Sequence, residues 1–209
     1  MPTERSRCGA ETWRGQACWR LALPTGDSLL VAEQGAHVLS WLAGGRERLY
    51  LSPASAADGQ TAIRGGVPVC WPQFNQRGPL PKHGFARNLP WRLLDAQDQG
   101  EGARLTLGLQ SSERTRALWP AEFDAELALD LQPGALRLTL TVRNTGAQDW
   151  AFSGALHSYL AVGDITATSL VGLGGQAEWD AVRDLHGQAA PTWLSRASST
   201  GCTPLRPSP

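Results

Sequence analysis

The amino-acid sequence predicts an all-β fold, and three observations support this prediction. Short runs of alternating apolar and polar residues recur along the chain, each bounded by Gly, Pro, Asn or Asp. Turn signals separate these runs at intervals of about ten residues, which is typical of a β-sandwich. Helical periodicity is scarce, and nothing alternates strand with helix as a parallel α/β sheet requires.

The predicted strands follow one another along the chain. The clearest is a hairpin: apolar residues alternate with acidic ones over 123–131 and with Arg or Thr over 136–142, and a turn at 132–135 joins the two runs. The other segments carry weaker alternation with the same kind of boundaries. They are residues 28–33, 37–42, 48–51, 91–94, 104–110, 150–160 and 168–171.

Composition excludes several classes of protein. With 209 residues, of which 42% are hydrophobic, the chain can bury the core of one domain. The 19 basic and 19 acidic residues cancel, which argues against a nucleic-acid binder. No apolar run approaches the roughly 18 residues of a membrane span, and the N-terminal residues lack a secretory signal, so we expect a soluble cytoplasmic protein. The cysteines stand singly and predict free thiols rather than a zinc site: Cys8, Cys18, Cys70 and Cys202.

One long segment, residues 53–90, has no strand pattern, and loops of that length often carry function. Residues 59–94 contain no Asp or Glu but five cations, namely Arg64, Arg77, Lys82, Arg87 and Arg92. Cations beside Gly65, Gly66 and Gly84, where backbone amides can approach a ligand, suit a small anion such as a phosphate group. Equally open at this point is a solvated loop whose charges meet carboxylates elsewhere in the fold.

Three blocks of this sequence, at 63–74 (IRGGVPVCWPQF), 81–88 (PKHGFARN) and 155–165 (ALHSYLAVGDI), occur in the order found in one known family. In these blocks the chain resembles the D-hexose-6-phosphate mutarotases, which are glucose-6-phosphate 1-epimerases of the aldose 1-epimerase superfamily. The resemblance extends from about the first strand to about Asp184. It implies a galactose mutarotase-like β-supersandwich, in agreement with the strand prediction.

The resemblance also implies a reaction and a set of residues. The family interconverts the α and β anomers of a hexose 6-phosphate by general acid–base catalysis, without metal or organic cofactor. His157 takes the place of the acid, while Arg64, Lys82 and Arg87 take places that contact the sugar phosphate. Lys82 replaces a glutamine that is frequent in the family, and lysine cannot accept a hydrogen bond as glutamine does. His83 either lines the sugar pocket or fixes the loop through a backbone hydrogen bond.

His157 lies in an alternating segment, so a strand is predicted to hold its imidazole rigidly over a pocket. A histidine on a strand is, however, more often a structural residue. The assignment of His157 to catalysis therefore depends on the resemblance.

The resemblance ends before the family's last substrate-binding Asp and its base Glu, and no acidic residue follows Asp184. We therefore expect an incomplete mutarotase-like domain at 1–190 and an unrelated tail at 191–209 that is disordered and irregular, as a truncated or frameshifted gene would give. Asp164, Glu178 and Asp180 are the remaining candidates for a base, although ordinary surface charge explains them as well.

Two other functions stay open. The first is a noncatalytic β-sandwich that binds a sugar phosphate through the same cations. The second is a 1-epimerase of neutral aldoses, against which the cationic loop argues because neutral sugars require no unpaired cations.

Overall fold

The computed structural model describes residues 6–180 and 183–194. The chain divides between Ala161 and Val162 into two compact units. Most of the predicted tail, residues 195–209, lies outside the described residues.

The first unit contains a five-stranded antiparallel sheet in which each strand pairs with the next along the chain. Its strands are β1 (Arg7–Trp13), β2 (Gln16–Ala22), β3 (Ser28–Ala32), β4 (His37–Ala43) and β5 (Arg46–Glu47). The β1–β2 hairpin was not predicted from the sequence. Its signal was Arg14-Gly15, where both residues take a positive φ (48° and 83°), as a two-residue hairpin turn demands.

A second antiparallel sheet has the strand order β10-β9-β8-β7. The strands are β7 (Arg92–Gln99), β8 (Gly102–Gln110), β9 (Phe123–Gln132) and β10 (Ala135–Asn144). The predicted hairpin is confirmed in register, with Leu131 opposite Leu136 and Asp130 opposite Arg137. A short helix, α1 (Glu113–Leu118), was not predicted, although a reciprocal capping box formed by Ser112 and Thr115 marks its start.

The core of this unit lies between the inner faces of these two sheets. The alternating apolar residues of β9 are all at most 1% exposed, as the two-residue period requires: Phe123, Ala125, Leu127, Leu129 and Leu131. Buried residues from β2, β3 and β8 join the same cluster. Asp27, only 4% exposed, ties the two sheets by accepting hydrogen bonds from the Gly44 and Gly134 amides.

A small two-stranded sheet joins β6 (Val69–Cys70) to β11 (Ala155–Leu156). Here two predictions were too long. The predicted strand at 150–160 reduces to β11 and an isolated bridge at Leu160, and the one at 48–51 reduces to bridges at Leu49 and Leu51. The ladder beside β11 is interrupted because its partner segment contains Gly65, Gly66 and Pro68, and proline has no N–H to donate.

The second unit contains two further antiparallel pairs. In one, β12 (Ser169–Val171) pairs with β15 (Thr192–Leu194), and in the other, β13 (Ala177–Asp180) pairs with β14 (Leu185–Gln188). The expectation of an irregular tail is therefore corrected at 192–194. These three residues form a strand because β12 offers them a backbone ladder, a long-range partner that local sequence does not reveal.

Candidate active site

The segment from Arg64 to Cys70 forms the floor of the candidate site. On one side, the Gly66 amide donates to the Tyr50 carbonyl at 2.7 Å and the Val67 amide donates to the Val38 carbonyl at 2.9 Å. On the other side, the Pro68 carbonyl accepts from the His157 amide at 3.1 Å, and the Gly66 carbonyl accepts from the Tyr159 amide at 2.9 Å. The segment thus sits between two neighbours and fixes the backbone of His157.

His157 follows β11 immediately and is partly buried. Its ring stacks on Tyr159, with centroids 4.7 Å apart and planes 23° from parallel. The ring of His83 stands edge-on to it at 6.0 Å, and Phe74 lies at 6.4 Å. His157 is therefore held outside a regular strand, but with its backbone bonded to the floor segment and its ring packed between aromatic neighbours.

His83 has a double role in its own loop. It takes a positive φ of 68°, its amide donates to the Asn75 carbonyl at 3.0 Å, and its Nδ1 accepts from the Asn75 amide at 3.2 Å. The alternative that His83 fixes the loop by a backbone hydrogen bond is thus observed. Because an acceptor Nδ1 bears no proton, the neutral ring carries its proton on Nε2 and keeps that donor for another partner.

Arg87 lies in a 3₁₀ turn (Ala86–Asn88), and its Nη2 donates to the Lys82 carbonyl at 2.9 Å. This bond joins the two cationic residues of the second sequence block. The Lys82 side chain is exposed. We call His83, Arg87 and His157, with Lys82 at the edge, the histidine–cation cluster.

Charge effects show that these groups lie close together. Burial, together with the positive charges of Arg87, His157 and Lys82, lowers the pKa of His83 to about 4. Burial also lowers the pKa of His157, and Arg87 contributes in the same direction. Both rings are therefore biased toward their neutral forms in the free protein.

Arg64 stands apart from this cluster. Its backbone is fixed, because its amide donates to the Ser55 hydroxyl at 2.9 Å and its carbonyl accepts from the Ser52 amide at 3.0 Å, but its side chain is exposed. Among the residues that the structure describes, no contact joins the Arg64 side chain to His83 or His157. The structure thus brings four of the five predicted site residues together.

The cations of the site have no carboxylate partners in the described part of the chain. Ion pairs there join Arg20 to Glu11, Arg104 to Asp130, Arg116 to Glu122 and Arg183 to Asp180. None involves Arg64, Lys82 or Arg87. Carboxylates of the described residues therefore do not neutralise these three cations, which is the part of the alternative that concerns the predicted site.

Two other residues shape the loop from inside. Trp71 is fully buried among aromatic rings, with Phe123 at 4.6 Å and Trp119 at 5.4 Å, so it belongs to the core. Gln73, 3% exposed, was not singled out from the sequence. Its amide group donates to the Asn75 and Leu80 carbonyls and accepts from the Leu80 amide, all at 2.9–3.0 Å. A glutamine bounded by prolines and glycines was the only sequence signal for this role.

The acidic residues considered as a base lie in the second unit. Asp164 caps the 3₁₀ turn Ile165–Ala167, and hydrogen bonds from the Thr166 hydroxyl and amide lower its pKa. Asp180 accepts from the Arg183 amide at 3.0 Å and lies 3.8 Å from its guanidinium. Both contacts are local and structural.

No group of three or more His, Cys, Asp or Glu side chains is arranged to hold a metal ion within 6–180 and 183–194. Over the same ranges, no helix has the length and apolar character needed to cross a membrane.

Comparison with known proteins identifies the family. Residues 18–187 match the family model described as aldose 1-epimerase. A Salmonella typhimurium protein named "Putative glucose-6-phosphate 1-epimerase" is 45% identical over 147 residues, covering 68% of this chain and 48% of the relative. An Escherichia coli K12 protein of the same name is 44% identical with the same coverage. The chain thus spans about half the length of the curated relatives it matches.

Solved structures agree. The crystal structure of a "putative mutarotase (YeaD)" from Salmonella typhimurium is 34% identical with a TM-score of 0.79, and the match covers 90% of this chain and 63% of that one. A galactose mutarotase-like protein from Clostridium acetobutylicum shares the fold, with 18% identity, a TM-score of 0.69 and coverage of 90% and 66%. The implied galactose mutarotase-like fold is confirmed. By the match over residues 18–187, the chain belongs to the aldose 1-epimerase family.

Proposed function

We propose that this chain supplies the phosphate-binding and proton-transfer groups of a cytoplasmic glucose-6-phosphate 1-epimerase, which interconverts the α and β anomers of a hexose 6-phosphate. The names of its relatives at 44–45% identity support this substrate class. Because the chain spans 48% of those relatives, its competence to catalyse the whole reaction is part of the proposal.

One observation carries the proposal: cations without a carboxylate partner in the described part of the chain lie beside two histidines whose rings are 6.0 Å apart. Arg87 lies close enough to lower the pKa of both His83 and His157, and it has no carboxylate partner among the described residues. A guanidinium presents several donors in a fixed plane, the geometry that a phosphate group accepts. Lys82 and the more distant Arg64 add charge that a neutral sugar would not require.

His157 suits the proton transfer. Ring opening needs one proton delivered to the ring oxygen and one removed from the anomeric hydroxyl, which passes to a solvent water, so that the C1–O5 bond breaks and the C1 carbonyl forms. Rotation about C1–C2 and closure in the reverse sense then give the other anomer. We assign the delivery step to His157, whose backbone is fixed by Pro68 and whose ring is held by Tyr159.

Binding of the substrate would favour the protonated form of His157, which is the form that acts as the acid. In the free protein, burial and Arg87 favour the neutral His157 ring. A phosphate dianion beside Arg87 offsets its positive charge, and the pKa of His157 then rises toward neutrality, where a general acid is most effective. We assign to His83, whose Nε2–H has no partner among the described residues, the role of holding a sugar oxygen.

Exchange spectroscopy of glucose 6-phosphate tests this function. The rate of α-to-β interconversion would be measured by NMR with the wild-type chain and with His157→Asn as control. We expect acceleration by the wild type and its loss in the variant, with binding retained. Acceleration that survives in His157→Asn would remove His157 from the reaction.

A noncatalytic sugar-phosphate binder is the second candidate. The cations of the histidine–cation cluster favour a binding protein as much as an enzyme, since phosphate binding requires no proton transfer. Binding of glucose 6-phosphate without any acceleration of exchange would select it. Equal binding of glucose and glucose 6-phosphate would instead select an epimerase of neutral aldoses.

A further inference from the structure

His37 is a buried polar residue that the proposed chemistry does not use. It begins β4, its side chain is 0% exposed, and its Nε2 lies 2.7 Å from the Gly65 carbonyl oxygen. Because a carbonyl only accepts, Nε2 carries the proton. Nδ1 has no hydrogen-bonding partner among the described residues. The ring therefore makes one directed bond, and that bond points at the floor of the candidate site.

The turn at Gly65 and Gly66, which accepts this hydrogen bond, has no space for a side chain. Gly65 and Gly66 take positive φ values of 98° and 61°. A Cβ on Gly65 would lie 2.4 Å from the Tyr50 carbonyl oxygen, and one on Gly66 would lie 2.1 Å from the Val38 carbonyl oxygen and 2.9 Å from His37 Nε2. The glycines are thus required by close approach of the backbone, and His37 is one wall of that space.

The same turn is connected to the segment that carries His157. The Gly65 carbonyl turns toward His37, while the carbonyls of Gly66 and Pro68 accept from the amides of Tyr159 and His157. Arg64 directly precedes the turn. A displaced Gly65 peptide would therefore move the backbone that sets the position of the His157 ring and of the Arg64 side chain.

His37 also stands beside the other half of the site. The preceding Gly35 packs so closely on Arg87 that an added Cβ would lie 2.6 Å from the Arg87 carbonyl oxygen, and the Gly35 amide donates to the Leu89 carbonyl at 2.8 Å. The charge of Arg87 also contributes to the lowered pKa of His37. One short segment, residues 35–38, thus touches both the Gly65–Gly66 turn and the Arg87 turn.

We propose that His37 is a positioning residue, which through its bond to the Gly65 carbonyl sets His157 and Arg64 in place relative to Arg87. This inference rests on the proposed function for its kinetic consequence, but not for its structural one. Loss of the bond would leave a buried carbonyl unsatisfied and the turn free to shift.

Three variants test the role. His37→Gln keeps a donor near the position of Nε2, His37→Asn keeps an amide that is too short to reach Gly65, and His37→Leu removes the donor. Leu105→Ala, in the other sheet, is a control for general loss of stability, since Leu105 is also fully buried. The readouts are the Cε1–H resonance of His157, the Kd for glucose 6-phosphate and kcat for anomer exchange.

We expect His37→Leu and His37→Asn to shift the His157 resonance and to lower kcat at least about tenfold, because misplacement of a reacting group is costly. His37→Gln should restore both. Leu105→Ala should lower the melting temperature and change neither. If His37→Leu does not fold, the Asn and Gln pair decides the question by itself.

An unchanged His157 resonance in His37→Asn would overturn the proposal. A shift of the His157 resonance in Leu105→Ala as large as that in His37→Asn would overturn it as well. If the wild type accelerates no exchange, the proposed function fails. In that case the positioning role is still tested by the shift of the His157 resonance in His37→Asn and by its reversal in His37→Gln.

Discussion

Acidification should destabilise this protein through His37 as the pH falls below about 6.5. Burial, with a smaller contribution from Arg87, lowers the pKa of His37 from 6.5 to about 4 in the folded state. Between these pH values His37 is protonated in the unfolded chain and neutral in the folded chain. The free energy of unfolding is therefore fully retained above pH 6.5 and falls as pH drops toward 4.

The size of the effect follows from the difference between the two pKa values. At about 1.4 kcal/mol for each pH unit, the loss through His37 reaches about 3 kcal/mol near pH 4. His83 adds to it in the same direction, by less because its ring is partly exposed. Carboxylates with lowered pKa values, such as that of Asp58, which lies at about 2, act only at lower pH.

The assay is urea denaturation at intervals from pH 7.5 to pH 4, with wild type and His37→Gln in parallel. The wild type should lose about 3 kcal/mol more than the variant over this range, because glutamine does not titrate. His83 and the carboxylates are common to both chains and cancel in the difference. Parallel curves for the two proteins would refute the assignment of His37 as a buried neutral ring.

Three further predictions concern single positions. Arg87→Ala should weaken binding of glucose 6-phosphate by about 2 kcal/mol, the scale of a charge-assisted hydrogen bond, and leave glucose binding nearly unchanged in calorimetry; equal weakening would remove Arg87 from the phosphate site. Gly66→Ala should lower the free energy of unfolding by about 3 kcal/mol or more, because a Cβ would lie 2.1 Å from the Val38 carbonyl oxygen. Gly100→Ala, at φ 81° with open space around it, should lower it by about 1 kcal/mol. Similar melting temperatures for the two variants would contradict the predicted clash at Gly66. Asp27→Ala should cost about 3 kcal/mol in urea denaturation, because the amides of Gly44 and Gly134 lose their buried acceptor, and a change below the error of the fit would show that the carboxylate ties nothing.

Local pattern predicted the sheets where one face is buried and the other is wet. The β9–β10 hairpin is the best case, since its two-residue alternation matches burial in β9 at every residue except Ala128, which is buried on the outer face. The β1–β2 hairpin escaped because β1 is mostly exposed and carries little alternation. The segment at 150–160 was predicted too long because its pairing partner contains Pro68 and two glycines, a long-range fact that the segment itself does not encode.

Most residues of the candidate site could be predicted from the sequence, but the contacts between them could not. The cations and histidines came from sequence blocks, and the structure brings His83, Lys82, Arg87 and His157 together. The distance of Arg64 from His157 and the loop-fixing bond of His83 depend on backbone geometry at positive φ, which spacing cannot show. His37 was passed over because a lone histidine at the start of a strand carries no signal until its bond to Gly65 is seen.

The most direct test of the account compares two substrates on one protein. NMR exchange would measure the acceleration of anomer interconversion by the wild-type chain for glucose 6-phosphate and for glucose at equal concentration. The unpaired cations beside His157 predict a preference for the phosphorylated sugar of about 100-fold or more, the value of about 3 kcal/mol of phosphate contacts. Equal acceleration of the two sugars, or acceleration of glucose alone, would contradict the claim that this cluster is a hexose-phosphate site.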